Sequence, residues 1–483
     1  MHLLNLLIVW AGKSASRISR IFRIGSGATW PGEIALRLRP DILSLLFSQL
    51  RKGVIIIAGT NGKTTTALMV KKIAEAQGMS VIHNDSGANL DNGIISAFIK
   101  HASWGGTIRA DWGVFEVDEN ILPQIVAQLK TQNSRLKTTT KNVKLIIVLL
   151  NLFRDQLDRY GEVDVIAEKW EKALRLRSGQ ALEHKNTTLI LNADDPLVAH
   201  LGVASKLPVT YFGVNDKTQY LSKMEHATDS IFCLNCGGRL SYEGIYYSHI
   251  GIWYCTTCKE KRPIPDVSDW KSPLPGLYNQ YNTLAAVIVA KALHIKDKDI
   301  EASLTTFRPA FGRQEEFTVN GKTIKIFLSK NPAGFNQSLK TVLALGATQL
   351  LFVLNDRIPD GRDVSWIWDV DFELLKEDKR VIEEPFGYAQ GRHDEHVKKK
   401  YKKGEKIGRY TMRISVSGER CYDLAVRLKY ADIPLQESQV FENLEKAVRQ
   451  SLEQEHTGET LYILPTYSAM LETRKILTGK KIL

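Results

Sequence analysis

The chain has 483 residues, with 43% hydrophobic and 24% charged side chains, a formal charge of +12 and a pI of about 9.2. That length excludes one ordinary domain and implies two or three, with ample apolar material for their cores. The basic excess points either to an anionic partner (nucleic acid, nucleotide, acidic glycolipid or membrane surface) or to a solvated basic surface.

Met1 to Trp10 is apolar but too short to span a bilayer, and Lys13, Arg17, Arg20 and Arg23 follow it. A secretory signal carries its positive charge before the apolar part, so an amphipathic helix fits better. That helix is expected to pack on the protein or to lie at a membrane surface, which places the chain in the cytoplasm, with peripheral attachment at the inner membrane face as the variant reading.

From Val54 onward, short apolar runs alternate with helical stretches. Val54–Ala58 predicts a strand, Thr64 to Gln77 a helix, and Ser80–Asn84, Trp112–Val117, Val143–Leu150, Thr188–Leu191 and Val209–Phe212 further strands. Continuous rather than alternating apolar runs imply strands buried on both faces, and so a doubly wound α/β domain with a parallel sheet. The polar, basic stretch 130–144 reads as a loop or an insertion. Cysteines, glycines and aromatics cluster at about 225–265, as in a small inserted module. A second α/β unit begins near Phe317, with strands expected at Thr323–Leu328, Leu350–Leu354, Thr411–Val416 and Thr460–Leu464. The predicted organisation is a helical segment at 1–50, a nucleotide-binding domain at 51–312 and a carboxyl-terminal α/β domain at 313–483. A flexible insertion at 386–406 includes Lys398, Lys399, Lys400, Lys402 and Lys403.

The sharpest chemical signal is Gly59-Thr60-Asn61-Gly62-Lys63-Thr64-Thr65-Thr66, between a strand and a helix. Glycines let backbone N–H groups turn inward on a phosphate, Lys63 supplies a charge, Thr64 offers a hydroxyl to Mg²⁺, and the helix N-terminus adds its dipole. ATP and Mg²⁺ are the expected ligands. Glu116 and Asp118 end a strand on the side where ligands of parallel sheets bind.

Cys233-x-x-Cys236 and Cys255-x-x-Cys258 lie eighteen residues apart (237–254). Four thiolates at this spacing suit a structural, tetrahedral Zn²⁺ in a zinc ribbon, with Gly237, Gly238 and Gly244 in its turns. The fifth cysteine, Cys421, stands alone at the start of a predicted helix, so no disulfide framework is present.

The shortened Gly-Thr-Asn-Gly-Lys-Thr-Thr loop resembles that of the Mur ligase and folylpolyglutamate synthetase superfamily. The resemblance implies a Mg²⁺ role for Glu116 and Thr64, and a nucleotide-binding role for the loop residues, Asn279 and Arg313. Asn279 and Asn282 read alone would be helix caps. Asn151 through Asp155-Gln156-Leu157-Asp158 resembles the family's Asn-x-x-x-Asp-His-Leu-Asp motif, but Gln156 replaces the metal-binding His. Lys169 stands one residue out of register with the family's carbamylated lysine. Asn192-Ala193-Asp194-Asp195 resembles another family element.

Within that superfamily, Ser329 to Gln337, Leu354 to Asp369 and Ser417 to Tyr430 resemble the MurT family, as does Gly25 to Pro31. This resemblance implies ATP-dependent amidation of the D-glutamate α-carboxylate of lipid II through an acyl phosphate. The chain has no evident glutaminase of its own, so ammonia would come from a GatD-type partner, to whose Cys-His pair Asp360, or else Asp363, would add an aspartate. Two rivals are an amino-acid-adding Mur or folylpolyglutamate-type ligase and a zinc-ribbon nucleic-acid-binding ATPase. The latter lacks the expected stripe of interleaved basic and aromatic residues, so no nucleic acid partner is expected.

Overall fold

A computed structural model of the chain describes residues 7–14, 17, 29–84, 88–135, 143–155, 162–175, 186–309, 312–377, 412–433, 435–453 and 459–479. It divides into two compact units: residues 1–311 with 331–337 and 481–483, and residues 312–330 with 338–480. The expected insertion at 386–406, Gln156, and residues 25–28 of the amino-terminal block lie outside the described residues.

The first unit is built on six strands, β1 (Gly53–Ala58), β2 (Val81–His83), β3 (Trp112–Val117), β4 (Lys144–Leu149), β5 (Thr187–Asn192) and β6 (Val209–Phe212). They pair in the order β2-β3-β1-β4-β5-β6, all parallel. The sequence of β1 explains the burial: Val54, Ile56 and Ala58 enter one core while Ile55 and Ile57 enter another. Strand side chains alternate in direction, so a strand apolar at every position must be covered on both faces.

The first core is completed by α1 (Trp30–Leu38), α2 (Ile42–Phe47), α4 (Asp91–His101), α5 (Leu122–Arg135), α6 (Val163–Leu174) and α7 (Pro196–Ser205). The second is completed by α3 (Lys63–Ala76), α8 (Leu277–Ala292) and α9 (Asp297–Thr305). The expected loop at 130–144 is partly wrong, because α5 runs to Arg135 and β4 begins at Lys144. Leu122, Ile125, Val126 and Leu129 bury one face of that helix, and its polar last turn carries on from them.

The amino-terminal segment is helical at 7–14 and packs on the protein. Ile8 and Val9 enter the first core, the Trp10 Nε1–H donates to the Trp104 carbonyl at 2.9 Å, and Lys13 lies 5.1 Å above the Trp104 ring. Among the described residues no helix is long and apolar enough to cross a membrane.

The inserted module is an antiparallel hairpin of β7 (Leu240–Tyr247) and β8 (Ile250–Cys255). Gly244 was expected in a turn but lies inside β7, where a side chain would collide with the Tyr220 ring at 2.2 Å. The turn is made instead at Ser248, whose φ is 49°.

The second unit contains β9 (Arg313–Val319), β10 (Lys322–Phe327), β11 (Gln349–Val353), β12 (Arg413–Ser417), β13 (Val440–Phe441) and β14 (Thr460–Pro465), ordered β13-β12-β11-β14-β10-β9. All pairs are parallel except β9 with β10, which Asn320 and Gly321 join with φ of 51° and 78°. Two successive positive-φ residues make a turn that matches strand twist, and Asn-Gly is its favoured pair. Helices α10 (Cys421–Tyr430), α11 (Leu444–Glu453) and α12 (Tyr467–Thr478) belong to the same unit.

Candidate active site

The phosphate loop leaves β1 at the centre of the first sheet. Chain connections run from β1 toward β2 on one side and continue through β4 to β6 on the other, so the loop sits at a topological switch point, where ligands of parallel sheets bind. Gly59 and Gly62 have φ of 140° and 92°, which L side chains rarely adopt, and Gly62 caps α3. A Cβ at Gly62 would lie 2.1 Å from Asn282 Oδ1. These glycines are demanded by conformation and by close approach together.

The loop is propped from the segment after β4. Asn151 Oδ1 accepts from the Asn61 N–H at 2.8 Å, its Nδ2 donates to the Asn61 carbonyl at 3.1 Å, and its carbonyl accepts from the Thr60 N–H at 3.0 Å. The Thr60 hydroxyl donates to the Phe153 carbonyl at 3.2 Å and accepts from the Phe153 N–H at 3.0 Å.

Lys63 is buried, and its Nζ donates to the carbonyls of Gly59 at 2.5 Å and Thr60 at 3.3 Å and pairs with Glu119 Oε2 at 3.2 Å. Glu119 was not anticipated. The only sequence signal was its place in the acidic run Glu116-Val117-Asp118-Glu119, which does not say which carboxylate turns back to the loop. The Thr64 hydroxyl donates to Glu116 Oε2 at 2.5 Å, while Glu116 Oε1 is buried with no hydrogen-bond partner among the described residues. A hydroxyl and an uncommitted carboxylate oxygen, side by side beneath a phosphate loop, are the hard oxygen donors that Mg²⁺ takes. Asp118 is buried nearby and accepts from the Asn120 N–H at 3.1 Å.

Gly276 caps α8, so neither Asn279 nor Asn282 is its cap. Asn279 donates to the Pro275 carbonyl at 2.7 Å and accepts from Asn282 at 3.2 Å, and Asn282 Oδ1 lies 3.4 Å from the Thr66 hydroxyl. The pair thus connects α8 to the phosphate-loop helix. Lys169 reaches Asn120 Oδ1 at 3.5 Å on an exposed surface.

Asn192 to Asp195 is a structural hub. Asp194 accepts from Arg262 Nε at 2.5 Å, the Tyr281 hydroxyl at 2.6 Å and the Val214 N–H at 2.8 Å. Burial pushes its carboxyl above the usual range, against the pull of Arg262 and these hydrogen bonds. Asp195 caps α7 through the N–H groups of Leu197 and Val198, and accepts from the Leu152 N–H at 2.9 Å.

The four sulfurs of Cys233, Cys236, Cys255 and Cys258 lie within 4.8 Å of one another, with Cys233 and Cys258 at 3.7 Å and Cys236 and Cys255 at 3.5 Å. Tetrahedral Zn²⁺ with sulfur at ~2.3 Å sets its ligands ~3.8 Å apart, so the cluster fits that ion. Burial tends to raise the Cys255 thiol, but backbone N–H groups of Cys258 and Thr257 together with Cys236 bring it down to about 6. Gly237, at φ 70°, makes the first knuckle, and Lys259, at φ 66°, follows the second.

In the second unit, Asp360 is buried. Its Oδ1 accepts from the Ser468 N–H at 2.7 Å and its Oδ2 from the Ser468 hydroxyl, in the first turn of α12. Burial holds its carboxyl above the ordinary range despite those bonds. Asp363 is exposed and accepts from the Ser365 N–H at 2.8 Å, which lowers its pKa. Arg313 opens β9. Cys421 is buried at the start of α10, and burial raises its thiol.

The Mur ligase middle domain family matches residues 57–290, and the MurT ligase C-terminal family matches 328–406 and 402–470. A lipid II isoglutaminyl synthase (glutamine-hydrolyzing) subunit MurT from Streptococcus pneumoniae is 31% identical, over 100% of this chain and 99% of that one. Its namesake from Staphylococcus aureus strain COL is 32% identical over 84% of each. A pseudomurein peptide ligase type C from Methanothermus fervidus shares the fold, with a TM-score of 0.58 and 22% identity over 91% of this chain and 81% of that one. The phosphate loop on its parallel sheet, the second α/β unit and these relatives agree: this chain belongs to the MurT family of ATP-dependent ligases.

Proposed function

We propose that this chain is the synthetase subunit that converts the D-glutamate α-carboxylate of lipid II to D-isoglutamine. The observation that carries the reading is Lys63 held beside Thr64 and Glu116 at the mouth of β1, in a chain whose relatives are named for this reaction. A carboxylate is a poor electrophile. Transfer of the γ-phosphoryl group of ATP onto one of its oxygens releases ADP and makes an acyl phosphate with a good leaving group. Ammonia then attacks the carbonyl carbon, and inorganic phosphate departs.

In this reading Lys63 and the loop N–H groups that Asn151 does not take hold the transferring phosphoryl group, and Thr64 and Glu116 would hold Mg²⁺, which supplies charge neutralisation when bound. Lys63 exchanges Glu119 for the nucleotide's phosphates as ATP enters. Asn151 takes the N–H groups of Thr60 and Asn61 and so fixes the loop's shape, and Asn279 and Asn282 hold α8 against its helix. The four cysteines hold a structural zinc. Ammonia comes from a separate GatD-type glutaminase, as the subunit naming of the relatives suggests, and Asp360 or Asp363 completes that partner's Cys-His pair. Because both Asp360 oxygens are engaged by Ser468, Asp360 serves that role only if the partner displaces this contact, whereas Asp363 is already exposed.

The test is an assay of purified chain and glutaminase with lipid II, MgATP and glutamine. ATP-dependent amidation supports the reading. Transfer of a free amino acid in place of ammonia would assign the chain to the amino-acid-adding ligases instead.

A further inference from the structure

The segment 151–154, which props the phosphate loop, is itself gripped by the cysteine-bearing module. Asp229 accepts from the Arg154 N–H at 2.9 Å through one carboxylate oxygen and pairs with Arg154 Nε through the other. Asp229 is almost wholly buried in that pair. At the tip of the β7–β8 hairpin, His249 is fully buried, its ring 5.0 Å from the Phe153 ring and its Nε2 3.6 Å from Asp195 Oδ2. That same Asp195 oxygen accepts from the Leu152 N–H. The hairpin tip is held in place by the Tyr242 hydroxyl on the His249 carbonyl at 3.0 Å and by Glu225 on the Ser248 N–H at 2.5 Å. Three consecutive residues, Leu152, Phe153 and Arg154, are therefore fixed by the module or by Asp195 beside it, while their neighbour Asn151 and Phe153 hold Asn61 and Thr60.

We propose that the cysteine module sets the geometry of the nucleotide site, with Asp229 and His249 as positioning residues that act through residues 151–154, so that zinc binding and nucleotide binding favour each other. The inference rests on the assignment of the phosphate loop to ATP. The chain of contacts is short: a part-buried hydrogen bond joins Asp229 to Arg154, one peptide bond leads to Phe153, and a buried hydrogen bond leads on to the Thr60 hydroxyl. Beyond any stabilising role, the module clasps a segment whose own hydrogen bonds support Thr60 and Asn61 of the phosphate loop. Coupling of binding sites through such contacts is reciprocal: if zinc tightens nucleotide binding, nucleotide tightens zinc binding by the same factor.

The experiment measures MgADP affinity of the full chain by calorimetry. Wild-type protein is compared after chelation and after zinc reconstitution, and Asp229→Ala and Asp229→Asn are compared with wild type at equal zinc content and equal melting temperature. Chelation and Asp229→Ala are each expected to weaken MgADP about tenfold. Asp229→Asn, which keeps an acceptor for the Arg154 N–H, is expected to recover most of that loss. A folded Asp229→Ala with wild-type MgADP affinity overturns the proposal. Should that variant fail to fold, equal MgADP affinity of the wild type with and without zinc overturns it. Wild-type protein that binds no MgADP under any condition instead refutes the nucleotide assignment, which separates the two failures.

Discussion

Two carboxylates at the carboxyl ends of the two sheets are prepared in opposite ways. Glu116, near the end of β3, binds the Thr64 hydroxyl through one oxygen and leaves the other buried without a hydrogen-bond partner among the described residues. Asp360, past β11, commits both oxygens to Ser468 within its own unit. An uncommitted buried oxygen is costly unless something comes to bind it, whereas a saturated carboxylate already has its return in local structure. The contrast teaches that strand-end position alone does not mark a ligand site; what counts is which lone pairs the fold leaves unused.

The comparison is sharpened first at the loop that Glu116 serves. Lys63→Ala is expected to lower ATP-dependent turnover by at least about 10³-fold, since it removes the loop's side-chain cation for the transferring phosphoryl group. Single-turnover ADP release reads this directly, and near-normal turnover would remove Lys63 from the chemistry. Glu116→Gln is expected to cost about 10²-fold in kcat and to raise the Mg²⁺ concentration needed for half-activity; a titration of activity against Mg²⁺ checks both.

The cysteine cluster should respond in stability more than in chemistry. Cys236→Ser is expected to abolish stoichiometric zinc binding and to lower the melting temperature, because metal-binding energy is folding energy in such modules. Metal analysis and calorimetry on the same sample decide it.

The smallest effect belongs to Asp360. Its pKa in the folded chain is raised, so it contributes stability below its unfolded value, and that contribution is lost as pH rises through the raised folded value. Asp360→Asn cannot titrate. Its melting temperature relative to wild type should therefore improve as pH climbs across that window, and a difference independent of pH would contradict the assignment. If Asp360 also serves the glutaminase, the same variant loses glutamine-dependent activity while keeping activity with added ammonia; equal loss with both nitrogen sources removes it from that role.

Much of this was legible in the sequence because it rests on local rules. Val54–Ala58 is apolar at each position, and only a strand covered on both faces satisfies that. Gly59 and Gly62 are glycines because both have positive φ, with Leu150 and Asn151 crowding the first and Asn282 the second. The paired Cys-x-x-Cys knuckles fixed their own cluster. What escaped depends on where distant segments meet. Nothing in an acidic run says that Glu119 is a carboxylate that turns to Lys63. Asn192 to Asp195 resembles a family element whose task the residues alone do not state; in the fold Asp194 docks the inserted module and Asp195 braces Leu152. Strand β9 lies outside the expected strands although Asn320-Gly321 is a strong hairpin signal, because the polar composition of an edge strand masks it.

The account's central claim is that the γ-phosphoryl group of ATP passes onto a substrate carboxylate. Lipid II labelled with ¹⁸O in the D-glutamate α-carboxylate tests it most directly. Acyl-phosphate chemistry leaves one labelled oxygen on the amide product and delivers the other to inorganic phosphate, so each turnover should yield phosphate carrying a single ¹⁸O. Amidated product accompanied by unlabelled phosphate would contradict the claim.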